Sequence, residues 1–319
     1  MLDSKVFARR AMKWFVPVLF CCTLASQAAQ AEPNEAPQYR YKRAYVDGPF
    51  GQMHYHIAAP AKGVSTHAPI VFFHQNPKSG VEYEFLLKEM GKDRIAIAID
   101  TPGYGESDRP PAPPTMEQLS AAMGDALDAM GDYGKGKKHG KVDVFGFHTG
   151  AHIAAELALQ RPDLVGRVVL SGIAYMSDEE RAKRMEALPQ EYMQPEDGTR
   201  MLNRWHRIVI QREPEVSLER AQKTFVEDVH AIGYWWYAYN AVWPYPIKER
   251  LPKLTQPVLI VAPHDMLINE TRLAHKEALP HATYVELPDV RQESRVFETG
   301  WPQFAREMRQ WLTQPGKEN

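Results

Sequence analysis

The stretch KVDVFGFHTGAHIAAELALQRPDLVGRVVLSGIAY, residues 141–175, decides the fold. Val142, Val144 and Phe145 form a short run of strand formers. Gly146-Phe147-His148-Thr149-Gly150 is a sharp turn. Ala151 to Gln160 is rich in good helix formers. Arg161-Pro162-Asp163 ends that helix, and Val165 to Ser171 is a second apolar strand. The unit is strand, turn, helix, strand, with His148 at the apex of its turn.

Outward from this unit the chain repeats the same alternation. Tyr39–Val46 and Gly51–Ala58 read as a hairpin. In its second strand Gln52, His54 and His56 alternate with Met53, Tyr55 and Ile57, which places both histidines on an exposed face. Pro69–Phe73 and Arg94–Ile99 are apolar strands separated by a helix over Tyr83–Met90. Met116–Met130 has Leu119, Met123, Ala126, Leu127 and Met130 on one helical face. After the central unit, Val258–Ala262 and Thr283–Leu287 are strands, and Asn269–Leu279 and Trp301–Leu312 are helices. Alternating strands and helices predict an α/β fold, with a mostly parallel sheet flanked by helices. Ligands of such sheets bind at the carboxyl ends of the strands. His74, Asp100, His148 and Asp265 each follow a strand's carboxyl end, so the four should converge on one pocket.

Composition narrows the class. The chain has 319 residues, 44% hydrophobic and 24% charged, enough for one large domain with an insertion. Lys5, Arg9, Arg10 and Lys13 precede an apolar run, Trp14–Ala25, that is too short to span a bilayer. Ala29-Gln30-Ala31 then matches a small-x-small cleavage pattern. Residues 1–31 therefore read as a secretory signal, and the expected location is periplasmic or secreted, with no stable membrane span after cleavage. Cys21 and Cys22 are both in that segment, which leaves the remainder without thiol or disulfide chemistry. It is mildly acidic and has no basic stripe, so nucleic acid is not an expected partner.

Three segments resemble the α/β-hydrolase fold, over about residues 40–315. His74-Gln75-Asn76-Pro77 resembles the oxyanion loop, usually H-G-x-P. Asp100-Thr101-Pro102-Gly103-Tyr104-Gly105-Glu106-Ser107-Asp108 resembles the D-x-P-G-x-G-x-S-D loop. Gly146–Gly150 resembles the nucleophile elbow, G-x-S-x-G, whose strained turn lifts a side chain above the sheet. The combination with G-x-H-T-G also resembles a subgroup labelled only as hydrolases. The resemblance implies residues 32–175 and 251–319 as core and 176–250 as a helical cap over the pocket. It maps the family's acid onto Asp265 and its nucleophile onto His148, the wrong residue type. The family's histidine should follow the last strand near Leu287–Gln292, yet no histidine follows His281.

A histidine at the elbow could be a general base or acid, with Asp265 fixing its tautomer. An oxyanion hole needs backbone N–H groups rather than particular side chains, and Thr149 and Gln75 would supply them. His74 and Asp100 would lie beside the pocket, and each reads more readily as a brace of its own loop than as a catalytic group. Trp235, Trp236 and Tyr239, within the aromatic run 234–245, would line its apolar part. His148 and His152 have the i, i+4 spacing of metal ligands, but no third ligand follows a recognisable pattern. No metal or cofactor is expected, and the expected partner is a small apolar molecule. The function these residues imply is hydrolysis of a small apolar ester or lactone by an elbow histidine. Two alternatives stay open: a non-catalytic ligand-binding protein, and a cofactor-free lyase or isomerase.

Overall fold

Ile70, Val71, Phe72 and Phe73 include no polar residue, and the strand they form has both faces buried. Such continuously apolar strands belong in a sheet covered on both sides. The computed structural model describes residues 38–62, 65, 67–135, 140–188, 196–231, 234–291 and 300–314. Its sheet has eight strands: β1 (Tyr39–Gly48), β2 (Gly51–Pro60), β3 (Ile70–Phe73), β4 (Ala96–Ile99), β5 (Val142–Phe147), β6 (Val165–Ser171), β7 (Val258–His264) and β8 (Thr283–Arg291). Their order is β1-β2-β4-β3-β5-β6-β7-β8. The pairs β1·β2 and β2·β4 are antiparallel and the others parallel.

The strands alternate their side chains between two apolar layers. Val71, Phe73, Val144 and Leu170 pack on one face with α2 (Met116–Ala129) and α4 (Thr149–Gln160). Ile70, Phe72, Phe145 and Phe147 pack on the other with α1 (Glu84–Met90) and α11 (Trp301–Leu312). Period-2 alternation thus operates even inside β3, which is apolar throughout. A short helix, α3 (Asp132–Lys135), follows α2, and α10 (Ile268–Glu277) lies between β7 and β8.

The hairpin corrects one expectation. His54 and His56 are 4% and 3% exposed, not on a wet face. β2 is an interior strand, paired with β1 on one side and β4 on the other. Gln52 remains exposed, while His54 and His56 are buried and hydrogen-bonded to Asp100 and Tyr41 respectively.

Between β6 and β7 the chain forms α5 (Asp178–Glu186), α6 (Thr199–Trp205), a π-helical turn (His206–Ile210), α7 (Leu218–His230), α8 (Tyr237–Val242) and α9 (Ile247–Arg250). The amphipathic pattern of α7 was not read from the sequence. Buried polar contacts tie this segment to the core. Tyr104 Oη donates to the Trp235 carbonyl at 3.0 Å and accepts from Ala238 N–H at 2.9 Å. Asn76 Nδ2 donates to the same carbonyl at 2.7 Å. At the segment's end, Glu156 on α4 accepts from Tyr245 Oη at 2.6 Å and from Arg250 Nε and Nη2 at 2.7–2.9 Å.

Glu156 is 1% exposed, while Arg250 keeps 29% of its side-chain surface. Removing a buried partner strands the groups that bonded it, and Arg250's partial exposure reduces that cost. Glu156→Ala should therefore cost about 2–3 kcal/mol, measured by urea unfolding. An unchanged midpoint would show that water replaces Glu156 at no cost.

Candidate active site

The turn after β5 is tight because two backbones pass close beside it. A Cβ on Gly146 would overlap the Gly150 carbonyl, and one on Gly150 would overlap the Phe73 carbonyl of β3. Both positions need glycine for that reason. Between them His148 takes φ 51° and ψ −113°, the one positive φ of a non-glycine residue among the described residues. Such a conformation costs about 1–3 kcal/mol and persists only where the surroundings enforce it. Here His148 N–H donates to the Ser171 carbonyl at 3.0 Å, and its own carbonyl accepts from Ala151 N–H at 2.9 Å. His152 Nδ1–H also donates to that carbonyl at 3.2 Å. His152 is therefore a buried brace of the turn, and burial pushes its imidazole down to about 4.

His148 stands after β5 and Asp265 after β7, with β6 between them. Its ring reaches over the end of β6, and Nε2 meets Asp265 Oδ2 at 2.8 Å. Gly172, the residue after β6 at φ +61°, lies directly beneath. A Cβ there would overlap His148 Cδ2 and come within 3.2 Å of Asp265 Oδ2. The other carboxylate oxygen, Oδ1, accepts from Leu267 N–H at 2.8 Å. Phe147 stacks on the imidazole with ring centroids 4.1 Å apart. With Nε2–H donated to Asp265, Nδ1 is the basic nitrogen. Gly172 escaped the sequence reading; a glycine directly after a buried strand was its only signal.

The expected oxyanion donors differ from each other. Thr149 is the first residue of α4, where a helix leaves its N–H groups without intrahelical partners and its dipole favours negative charge. Gln75 N–H instead points to Glu82 Oε2 at 3.3 Å, and the Gln75 side-chain amide donates to Glu82 Oε1. Burial pushes the Glu82 carboxyl up to about 7, against the lowering effect of these bonds. The Gln75 amide is thus already engaged.

The side chains of His74 and Asp100 are engaged with other partners. His74 Nε2 accepts from Thr101 N–H at 2.9 Å and Nδ1–H donates to the Gln75 carbonyl at 2.8 Å, so both ring nitrogens are occupied. Asp100 accepts from Gly80 N–H at 2.6 Å, Glu106 N–H at 2.9 Å and His54 Nδ1 at 2.8 Å. It faces a separate cavity of about 730 Å³ together with His54 and His56. These three residues bring potential metal-donor atoms within 4.8 Å of one another. The carboxylate oxygens are already hydrogen-bonded, which fits a loop brace better than a ligand. Four polar residues follow strand ends, but only His148 and Asp265 meet, because the other two turn into the loops they anchor.

Two chambers join at His148. One, of about 480 Å³, is mostly apolar and includes Trp235, Tyr239, Val242, Trp243 and Leu267. The other, of about 320 Å³, is more polar and includes Lys78, Arg204, Arg207 and Asp228. Asn76, His148, Trp235, Tyr239 and Met266 border both. Trp235 and Tyr239 line both chambers, while Trp236 is not among the described residues that line either one. Their volumes fall within the range of small-molecule sites. Gln292, at the expected position of the family's histidine, lies outside the described residues.

A sequence model of the alpha/beta hydrolase fold matches residues 68–294. The chain belongs to the α/β-hydrolase fold family. Solved structures agree on the fold. A hydrolase from Pseudomonas aeruginosa is 19% identical, with a TM-score of 0.65, covering 86% of this chain and 99% of its own. The enol-lactonase from Burkholderia xenovorans is 23% identical, with a TM-score of 0.64, covering 85% and 100%. A thermophilic esterase from Thermogutta terrifontis is 19% identical, with a TM-score of 0.61, covering 85% and 98%. Among the described residues no helix is long and apolar enough to cross a membrane.

Gly172→Ala should break the His148–Asp265 hydrogen bond while the protein stays folded. A crystal structure of the variant, or loss of the downfield imidazole N–H resonance, would show it; an intact 2.8 Å contact would mean that β6 can retreat. His152 makes a different prediction. Its folded-state value of about 4 lies below its ordinary 6.5, so its stability contribution is full above 6.5 and is lost as pH falls toward 4. Its ring resonances should therefore not titrate above about pH 5. A midpoint near 6.5 would show that the ring is wet.

Proposed function

We propose that this protein hydrolyses a small ester or lactone, with His148 as general base on a water molecule. The observation that carries the reading is the His148–Asp265 hydrogen bond at the junction of the chambers. Asp265 accepts the Nε2 proton and so presents the Nδ1 lone pair. Nδ1 takes a proton from water, and the oxygen left behind attacks the carbonyl carbon. The oxyanion forms beside Thr149 N–H at the start of α4. The imidazolium, balanced by Asp265, then returns its proton to the departing alkoxide. No acyl-enzyme is involved, because the elbow side chain acts as a base and not as a nucleophile. The apolar chamber would hold the hydrocarbon part of the substrate. Folds shared with an enol-lactonase and an esterase support this reaction class by analogy.

The engaged Gln75 amide favours a second reading, a lyase or isomerase in which proton transfer by His148 suffices and little oxyanion stabilisation is needed. We further propose that residues 1–31 direct export, so that the protein acts in the periplasm or outside the cell.

His148→Ala should lower kcat/KM on the best p-nitrophenyl ester or lactone by at least about 100-fold, the usual contribution of a positioned base. A serine-directed fluorophosphonate should leave wild-type activity intact. Unchanged turnover in folded His148→Ala would remove the proposed base, and an adduct on a chamber serine would reveal a conventional nucleophile. A protein inert to every ester and lactone that eliminates or isomerises a carbonyl compound, with loss in His148→Ala, would establish the second reading.

A further inference from the structure

The polar chamber has an unusual charge arrangement. Asp228, 7% exposed, accepts from two cations at once, Lys78 on Oδ1 and Arg204 on Oδ2. Lys78 is nearly sealed, with 5% of its side chain exposed, and it also donates to the Thr224 carbonyl at 3.3 Å. Arg204 keeps 23% of its side-chain surface. Its bond to Asp228 uses one of its five N–H donors. Because Lys78 has already drawn on the Asp228 charge, Arg204 is incompletely neutralised. Arg207 stands in the same wall, exposed, with no ion pair or hydrogen bond of its side chain among the described residues. The wall thus carries three cations against one carboxylate.

Glu82 and Glu227 also act on Lys78. Neither lines this chamber. Both are hydrogen-bonded elsewhere, Glu82 to Gln75 and Glu227 to Ser79. Arg204, which shares Asp228 with Lys78, and Arg207 therefore leave excess positive charge on this chamber's wall. Planar guanidinium groups recognise carboxylates with paired, charge-assisted hydrogen bonds.

We propose that Arg204 and Arg207 form a carboxylate-binding subsite, and that the ligand is an amphiphile with its carboxylate there and its hydrocarbon part in the apolar chamber. On the hydrolase reading, the substrate is then an anionic ester or lactone whose scissile carbonyl lies between the two ends, at His148. That orientation rests on the reading of His148 as the base, but the carboxylate subsite does not. It narrows the substrate from any small apolar ester to one with a fixed negative end.

Equilibrium binding tests the subsite without turnover. The probes are 4-phenylbutanoate and its uncharged isostere 4-phenylbutanamide, titrated by calorimetry at low salt and neutral pH. The acid should bind at least about tenfold more tightly than the amide, as expected for a charge-assisted hydrogen bond over a neutral one. Arg207→Gln should reduce that ratio several-fold, and Arg204→Gln with Arg207→Gln should bring the two probes to near equality. Arg207 is exposed and makes no structural bond among the described residues, so its variant tests the idea even if changes around Asp228 disturb folding. Equal affinities in the wild type, or no binding of either probe, would overturn the subsite. So would a preference that survives both substitutions but disappears in Arg184→Gln, since Arg184 borders the apolar chamber instead. An acid preference in a protein inactive on all esters would keep the subsite and remove hydrolysis. Hydrolysis with no acid preference would do the reverse.

Discussion

The site depends on one hydrogen bond made over an absent side chain. His148 and Asp265 follow strands that are not neighbours, and β6 runs between them. Adjacent strands are about 4.8 Å apart, so the gap is roughly 10 Å. An imidazole raised by a strained turn can close it only if nothing stands on the end of β6. Gly172 provides that clearance, and the 2.8 Å contact results. In the family's usual arrangement, a separate histidine after the last strand would meet the acid. Here the elbow residue meets Asp265 directly.

The strain at His148 is balanced by its surroundings. Gly146 and Gly150 let β3 and α4 close around the turn. His152, neutral because it is buried, holds the His148 carbonyl in place. The aromatic segment is fixed by Asn76 and Tyr104, two residues from loops that end core strands. Asn76 therefore both borders the junction of the chambers and holds the backbone of Trp235, another of its lining residues.

The chamber walls give the site a direction. One side is aromatic and aliphatic; the other carries Arg204 and Arg207 next to a carboxylate that Lys78 already shares. On the proposed reading, a ligand that crosses His148 would pass from a mostly apolar wall to one that carries Arg204 and Arg207.

Local sequence determined the elements that depend on local patterns. The apolar runs gave β3, β5, β6 and β7, the helix formers after Gly150 gave α4, and the glycine frame of the turn placed His148 at its apex. Helix α7 escaped notice because its amphipathic pattern lies in a strongly charged segment. Alternation in β2 misplaced His54 and His56, since a strand's period tells which residues share a face but not whether that face is covered. The sequence could place His74 and Asp100 at strand ends, yet only tertiary structure decided that their hydrogen-bonding capacity is spent on Thr101, Gly80 and Glu106. It also decided that His148 reaches Asp265, a contact between residues 117 positions apart. That contact is set by strand order and by the missing Cβ at Gly172, and no local pattern in either segment encodes the distance between them.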